Sequence, residues 1–191
     1  MTKYTVFLDR DGVINHDSDA YIKHPDELHF IPQSPDAVAL LTANGFQVIL
    51  ITNQSAVGRG MISRQTLDDI LKKMTRGVEQ AGGRIKDIFF CPHTPDEGCE
   101  CRKPKPGMIL DAVRSHGIDL EHSVMVGDSA KDIECGKNAG CAKTILVKTG
   151  KAEKALAALT AKGIAPDFLA RDLYEAARWI TANLTCGNTA S

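Results

Sequence analysis

The run Phe46-Gln47-Val48-Ile49-Leu50-Ile51 is apolar at nearly every position, with no alternation. Such a segment is too short for a membrane span and suits a strand covered on both faces, the situation of a central strand in a parallel sheet. The same character returns at Val6 to Leu8, Ile85 to Phe90 and Ser123 to Val126, and in shorter form at Thr144 to Val147 and Phe168 to Ala170. Helical signals fill the intervals. Ser34 reads as an N-cap with Pro35 in the first turn, and Gly45 ends that helix. Ser63 opens a longer helix through Ala81, stopped by Gly82-Gly83. Further helices are expected over Gly107 to His116, Ala130 to Ala139, Ala152 to Lys162 and Asp172 to Leu184. Each crossover is long enough for a right-handed βαβ unit. The expected fold is therefore α/β, a doubly wound parallel sheet of Rossmann-like type. With 191 residues and no repeat or linker, one domain over 1–184 and a tail over 185–191 are expected.

The strands end in polar clusters. Val6-Phe7-Leu8 runs into Asp9-Arg10-Asp11-Gly12, and in extended chain residues two apart face the same side. Asp9 and Asp11 can then face one point beyond the strand, where ligands bind in open α/β sheets. Two carboxylates this close repel, and a hard divalent cation such as Mg²⁺ offsets them. Read alone, Asp11-Gly12 is equally a turn pair. The second strand ends in Thr52-Asn53-Gln54-Ser55, the third is followed by Lys103, and the fourth by Gly127-Asp128-Ser129-Ala130-Lys131-Asp132. A parallel sheet gathers these ends on one edge. Carboxylates, a hydroxyl and an ammonium make a kit for phosphoryl transfer. Asp132 reads either as part of that kit or as a first-turn carboxylate favoured by the helix dipole.

Cys91-Pro92-His93 and Cys99-Glu100-Cys101 put three thiols and one imidazole within a short loop, a ligand set for a closed, structural Zn²⁺ site. The steps are tighter than in common zinc fingers, so unligated thiols are the alternative. The six cysteines have little of the character of a disulfide framework, which belongs to short secreted chains. Cys135 and Cys141 read as small buried residues.

Asp9-Arg10-Asp11-Gly12-Val13, Thr52, Lys103 and Gly127-Asp128-Ser129-x-x-Asp132, in that order at successive strand ends, resemble the four motifs of the haloacid dehalogenase (HAD) superfamily. The resemblance covers roughly the first 150 residues, and the presence of Asp11 is similar to its phosphatases. It implies catalytic roles for Asp9 as nucleophile, Asp11 as acid and then base, and Thr52 and Lys103 as phosphate-holding groups. It implies Mg²⁺ on the Asp9 carboxylate, the Asp11 carbonyl and Asp128. The zinc loop, continued by Arg102-Lys103-Pro104-Lys105-Pro106-Gly107-Met108, resembles the branch that contains the heptose 1,7-bisphosphate 7-phosphatases and the histidinol-phosphate phosphatases. In that branch Cys91, His93, Cys99 and Cys101 would hold structural Zn²⁺. The Lys-Pro-Lys-Pro-Gly-Met continuation is similar to the heptose enzymes, and the short loop between His93 and Cys99 is shared with the histidinol branch. The implied reaction is removal of the 7-phosphate of heptose 1,7-bisphosphate, on the route to nucleotide-activated heptose for surface polysaccharide; histidinol phosphate is the alternative substrate. Substrate contacts implied by the resemblance fall on Asp17, Ser18, Asp19 and Tyr21, on Asn53, Gln54, Ser55 and Arg59, and on Arg102. Ser129 stands where many heptose enzymes carry Lys. The stretches between motifs leave no room for a large cap domain.

Composition narrows the partners. A net charge of −1 with 43% hydrophobic and 25% charged residues offers nothing to nucleic acid or a membrane surface. No run approaches the ~18 apolar residues of a spanning helix, and the first strand begins too early for a signal sequence. A cytoplasmic monomer acting on a small sugar phosphate is expected.

Overall fold

The structure, a computed structural model, describes residues 3–150 and 152–184. The expected 185–191 tail lies outside them. Six strands, β1 (Thr5–Leu8), β2 (Gln47–Asn53), β3 (Asp87–Cys91), β4 (Ser123–Gly127), β5 (Lys143–Val147) and β6 (Phe168–Ala170), form one sheet in the order β3-β2-β1-β4-β5-β6. Every pairing is parallel; Leu8 sits beside Leu50 of β2 on one side and Val126 of β4 on the other. The chain winds outward from β1 to β3, then returns to the other side of β1 with β4. The crevice between the C-terminal ends of β1 and β4 is thus the switch point, the place where such sheets bind ligands.

The unbroken apolar runs follow from burial on two sides. Val6, Leu8, Val48, Leu50, Val124 and Val126 face one layer, packing with Val38 and Leu41 of α1 (Ser34–Ala43), Leu67, Ile70 and Met74 of α3 (Arg64–Gln80) and Ala177 and Ile180 of α7 (Leu173–Asn183). The intervening Phe7, Ile49, Ile51 and Met125 face the other layer, against Met108, Ile109 and Ala112 of α4 (Gly107–His116) and Cys135 of α5 (Ala130–Ala139). Cys135 and Cys141 are buried, as their sequence setting implies. A third helix on that side, α6 (Ala152–Thr160), packs against α5 through Ile133, Ala155 and Leu159.

Local signals held at most helix ends. Ser63 caps α3, its hydroxyl accepting from the Thr66 N–H at 3.0 Å. Ser34 does not cap α1. Gln33, left-handed at φ 62°, is the N-cap; Ser34 lies inside the helix and its hydroxyl donates to the Ile14 carbonyl. The hydroxyl is spent on closing the loop before α1 rather than on the helix end. That loop, residues 12–33, has a single antiparallel bridge between Asn15 and Phe30 and a 3-10 turn at Pro25–Glu27. It reads as polar, yet Ile14, Ile22, Leu28 and Ile31 anchor it in the core. A one-turn helix, α2 (Ser55–Gly58), turns the chain directly after β2.

Candidate active site

Asp9 follows β1, its N–H donating to the Val126 carbonyl of β4 at 3.0 Å, so its position is set by the sheet. Its Oδ1 accepts from the Arg10 N–H at 2.7 Å and from Lys103 Nζ at 2.8 Å, which fixes the rotation of the carboxylate. Lys103 is buried. Its ammonium also pairs with Asp132 Oδ1 at 2.6 Å and donates to the Ile51 carbonyl at 2.8 Å. Burial works to lower the Lys103 pKa, but Asp132 and Asp9 outweigh it and hold the ammonium above its ordinary value. Asp132 Oδ2 accepts from the N–H and hydroxyl of Ser129 at 3.0 and 2.6 Å, a capping box that opens α5. Asp132 therefore serves both as helix cap and as partner of Lys103.

Asp128 completes the cluster. Carboxylate oxygens of Asp9, Asp128 and Asp132 lie within 4.8 Å of one another. Burial, with Asp132 and Asp11 adding and Lys103 opposing, raises Asp9 from 3.8 to about 7. Burial, then the charges of Asp9, Asp132 and Asp17, raises Asp128 from 3.8 to about 8. Three carboxylates against one ammonium leave an excess of two negative charges, the complement of a divalent cation, and the all-oxygen donor set suits Mg²⁺. Two glycines make room for Asp128. A Cβ on Gly150 would stand 1.9 Å from Asp128 Oδ2, and one on Gly12, at φ +78°, would stand 2.2 Å from it.

Asp11 is held apart from this cluster. The Arg10 guanidinium, itself buried, forks onto it through Nε at 3.0 Å and Nη2 at 2.6 Å, and Asn15 Nδ2 and Gln54 Nε2 add 2.9 and 3.0 Å bonds. Gln54 Nε2 also donates to Thr52 Oγ1 at 2.9 Å, so one amide links Asp11 to the buried Thr52 hydroxyl. Beside this centre, Cys91, His93, Cys99 and Cys101 converge with their ligand atoms within 4.8 Å of one another. Their sulfurs lie 3.1 to 3.5 Å apart. Around tetrahedral Zn²⁺ with bonds of ~2.3 Å the sulfurs would stand about 3.8 Å apart, so the ion needs an opening of only a few tenths of an ångström.

Comparison with known proteins gives this geometry a family. A HAD-hydrolase-like family model matches residues 100–176. The D-glycero-beta-D-manno-heptose-1,7-bisphosphate 7-phosphatase of Bordetella bronchiseptica is 49% identical over 152 residues, covering 80% of this chain and 84% of that protein. Its counterpart in Pseudomonas putida is 48% identical over 151 residues, covering 79% and 86%. The crystal structure of D,D-heptose 1,7-bisphosphate phosphatase from B. bronchiseptica, complexed with magnesium and phosphate, matches with a TM-score of 0.87 at 43% identity, over 94% of this chain and 98% of that one. The chain belongs to the heptose-bisphosphate phosphatase family of HAD hydrolases.

In this HAD phosphatase a cleft of about 530 Å³ opens over the cluster. Asp9, Asp11, Asp17, Ser18, Asp19, Tyr21, Asn53, Gln54, Ser55, Arg102, Lys103 and Asp128 all reach it, as the motif reading expects. Thr52, buried and bonded to Gln54, does not line it, nor does Arg59, the exposed C-cap of α2. Asn53 faces the cleft but also grips the Lys103 backbone, accepting from its N–H at 3.1 Å and donating to its carbonyl at 3.3 Å. Arg102 donates to the His93 carbonyl at 3.0 Å, which couples the cysteine loop to the cleft wall. The sequence reading missed Arg10 and Asn15, which hold Asp11, and the α6 face of Lys154, Ala155 and Ala158 that lines the cleft. Arg10 and Asn15 were legible in principle as polar neighbours of Asp11; nothing local to α6 marks it.

Proposed function

We propose that this phosphatase hydrolyses the 7-phosphate of D-glycero-β-D-manno-heptose 1,7-bisphosphate through a phosphoryl-aspartate on Asp9, in the supply of nucleotide-activated heptose for surface polysaccharide. The observation that carries the reading is the buried Asp9–Lys103–Asp132 ion-pair chain at the β1/β4 switch point, in a chain 49% identical to a relative named for that reaction.

Asp9 attacks phosphorus in line, its carboxylate kept in one rotation by Lys103 and the Arg10 N–H. The bond from phosphorus to the sugar oxygen breaks, and that oxygen receives a proton from Asp11. A water then attacks the phosphorus of the phosphoryl-aspartate, Asp11 takes its proton, and phosphate leaves with Asp9 restored. Because Arg10, Asn15 and Gln54 grip Asp11 without substrate, its engagement with the leaving oxygen requires release of part of that grip. Thr52 and Lys103 hold oxygens of the transferring group, and Lys103 neutralises part of its charge. The Asp9 and Asp128 carboxylates and the Asp11 carbonyl would hold Mg²⁺, which supplies the remaining charge neutralisation when bound. Cys91, His93, Cys99 and Cys101 would hold a structural Zn²⁺ that stiffens the loop carrying Arg102 and Lys103.

Only the 12–33 loop and α1 lie between the first two strand ends, and only α2 and α3 between the next two, which supports a single capless domain with its cleft open to the end of an extended sugar. No helix of the described residues is long and apolar enough to cross a membrane. The test is a panel of both anomers of heptose 1,7-bisphosphate with histidinol phosphate. The β-anomer should have the highest kcat/KM; a clear preference for histidinol phosphate would overturn the reading.

A further inference from the structure

A sugar bisphosphate brings two phosphates, and the Asp9 centre receives only one. The cleft continues past Asp9 to a wall formed by the first turn of α5 and one face of α6, lined by Lys131, Lys154, Ala155 and Ala158. Two of the cations nearest the reacting centre are neutralised by carboxylates, and a third spends one donor on a neutral carbonyl. Arg10 is matched by Asp11, Lys103 by Asp9 and Asp132, and Arg102 donates to the His93 carbonyl. Lys131 and Lys154 differ. Both are exposed, and neither has an ion pair or hydrogen bond with another described residue. Within the segment that follows Asp128, Ser129 and Asp132 are spent on one another and on Lys103, so Lys131 is the group left to meet a ligand. On α6 the small Ala155 and Ala158 flank Lys154 and keep the wall open beside it.

We propose that Lys131 and Lys154 form an anion subsite for the second, non-reacting phosphate of a sugar bisphosphate. The identity of the sugar rests on the function proposed above; the charge argument holds for any sugar carrying two phosphates. A phosphate monoester near neutral pH bears between one and two negative charges, and two ammonium groups on flexible stems match it without demanding a bidentate geometry. A bisphosphate with its reacting phosphate at Lys103 would set its second phosphate against α5 and α6, in the cleft that Asp17 to Tyr21 also line. This arrangement makes the enzyme select bisphosphates over the corresponding monophosphates. It also gives Lys131, two residues beyond Ser129, a cationic role in the segment that follows Asp128.

The test compares kcat/KM for heptose 1,7-bisphosphate with that for heptose 7-phosphate in the wild type, in Lys131→Met/Lys154→Met and in Arg102→Met. Methionine keeps much of the stem and removes the charge, and a thermal melt checks that each variant is folded. The wild type should favour the bisphosphate, and the double variant should lose at least tenfold in that ratio, chiefly through KM. A ratio within twofold of the wild type in the double variant would overturn the proposal, as would an equal or larger fall in Arg102→Met. If the wild type fails to turn over the heptose bisphosphate, the function proposed above fails. The subsite is then judged by the same ratio on a hexose 1,6-bisphosphate and its 6-phosphate.

Discussion

Asp132→Asn separates the charge of Asp132 from its shape. In the native protein Asp132 Oδ1 meets Lys103 at 2.6 Å while Oδ2 caps α5 through Ser129. A carboxamide cannot do both. With its oxygen on the Ser129 N–H, its NH₂ faces the Lys103 ammonium; flipped, it serves Lys103 and loses the cap. Stripping a buried charge of its only partner costs roughly 3–5 kcal/mol. Lys103 keeps Asp9 and the Ile51 carbonyl, so the expected loss is smaller, about 2 kcal/mol, in urea unfolding at saturating Mg²⁺. Asp132→Ala removes the cap as well and should cost about 1 kcal/mol more. The charge also raises Asp9, so in Asp132→Asn the Asp9 carboxyl falls and Mg²⁺ binding begins at lower pH. A stability loss under ~0.5 kcal/mol, with an unchanged pH dependence of Mg²⁺ binding, would refute the idea that Asp132 sustains the Lys103–Asp9 pair.

Three other outcomes are expected. Gly150→Ala puts a methyl group where Asp128 Oδ2 lies, and should weaken Mg²⁺ binding by at least tenfold in calorimetry; an unchanged affinity would show that Asp128 has room to move. Asp9 and Asp128 sit at about 7 and about 8, above their unfolded value of 3.8, so each favours the fold most at low pH. Metal-free protein should lose that contribution as pH rises through 8, and the rise in Tm on adding Mg²⁺ should be larger at pH 8.5 than at pH 6. Cys99→Ser should lower both the zinc content by metal analysis and the Tm; native protein purified without zinc, at full stability, would count against that site.

How far the sequence could be read follows from where each signal resides. The strands and the shared edge at Asp9, Thr52, Lys103 and Asp128 were legible because burial on both faces forces unbroken apolar runs, and each run ends in polar residues. The roles of Asn53 and Gln54 were not. Their amides point sideways, Asn53 to the Lys103 backbone and Gln54 to Asp11 and Thr52, and those partners lie as far as 50 residues away in the chain. Ser34 satisfied every local rule for an N-cap and was drawn off by the Ile14 carbonyl once the preceding loop closed. The single turn of α2, which ends at Arg59, is too short to leave a periodic signal. Lys154 reaches the cleft only because α6 packs on α5, a tertiary fact with no local mark.

Hydrolysis through Asp9 requires that Asp9 become covalently phosphorylated during turnover. Acid quenching during turnover of a saturating phosphorylated substrate, followed by borohydride reduction and peptide mass mapping, reads it directly. Residue 9 should be reduced to homoserine in wild type, with no trapped species in Asp9→Asn, which should be folded and inactive. Turnover with no phosphoryl group on Asp9, or one on another residue, would contradict it.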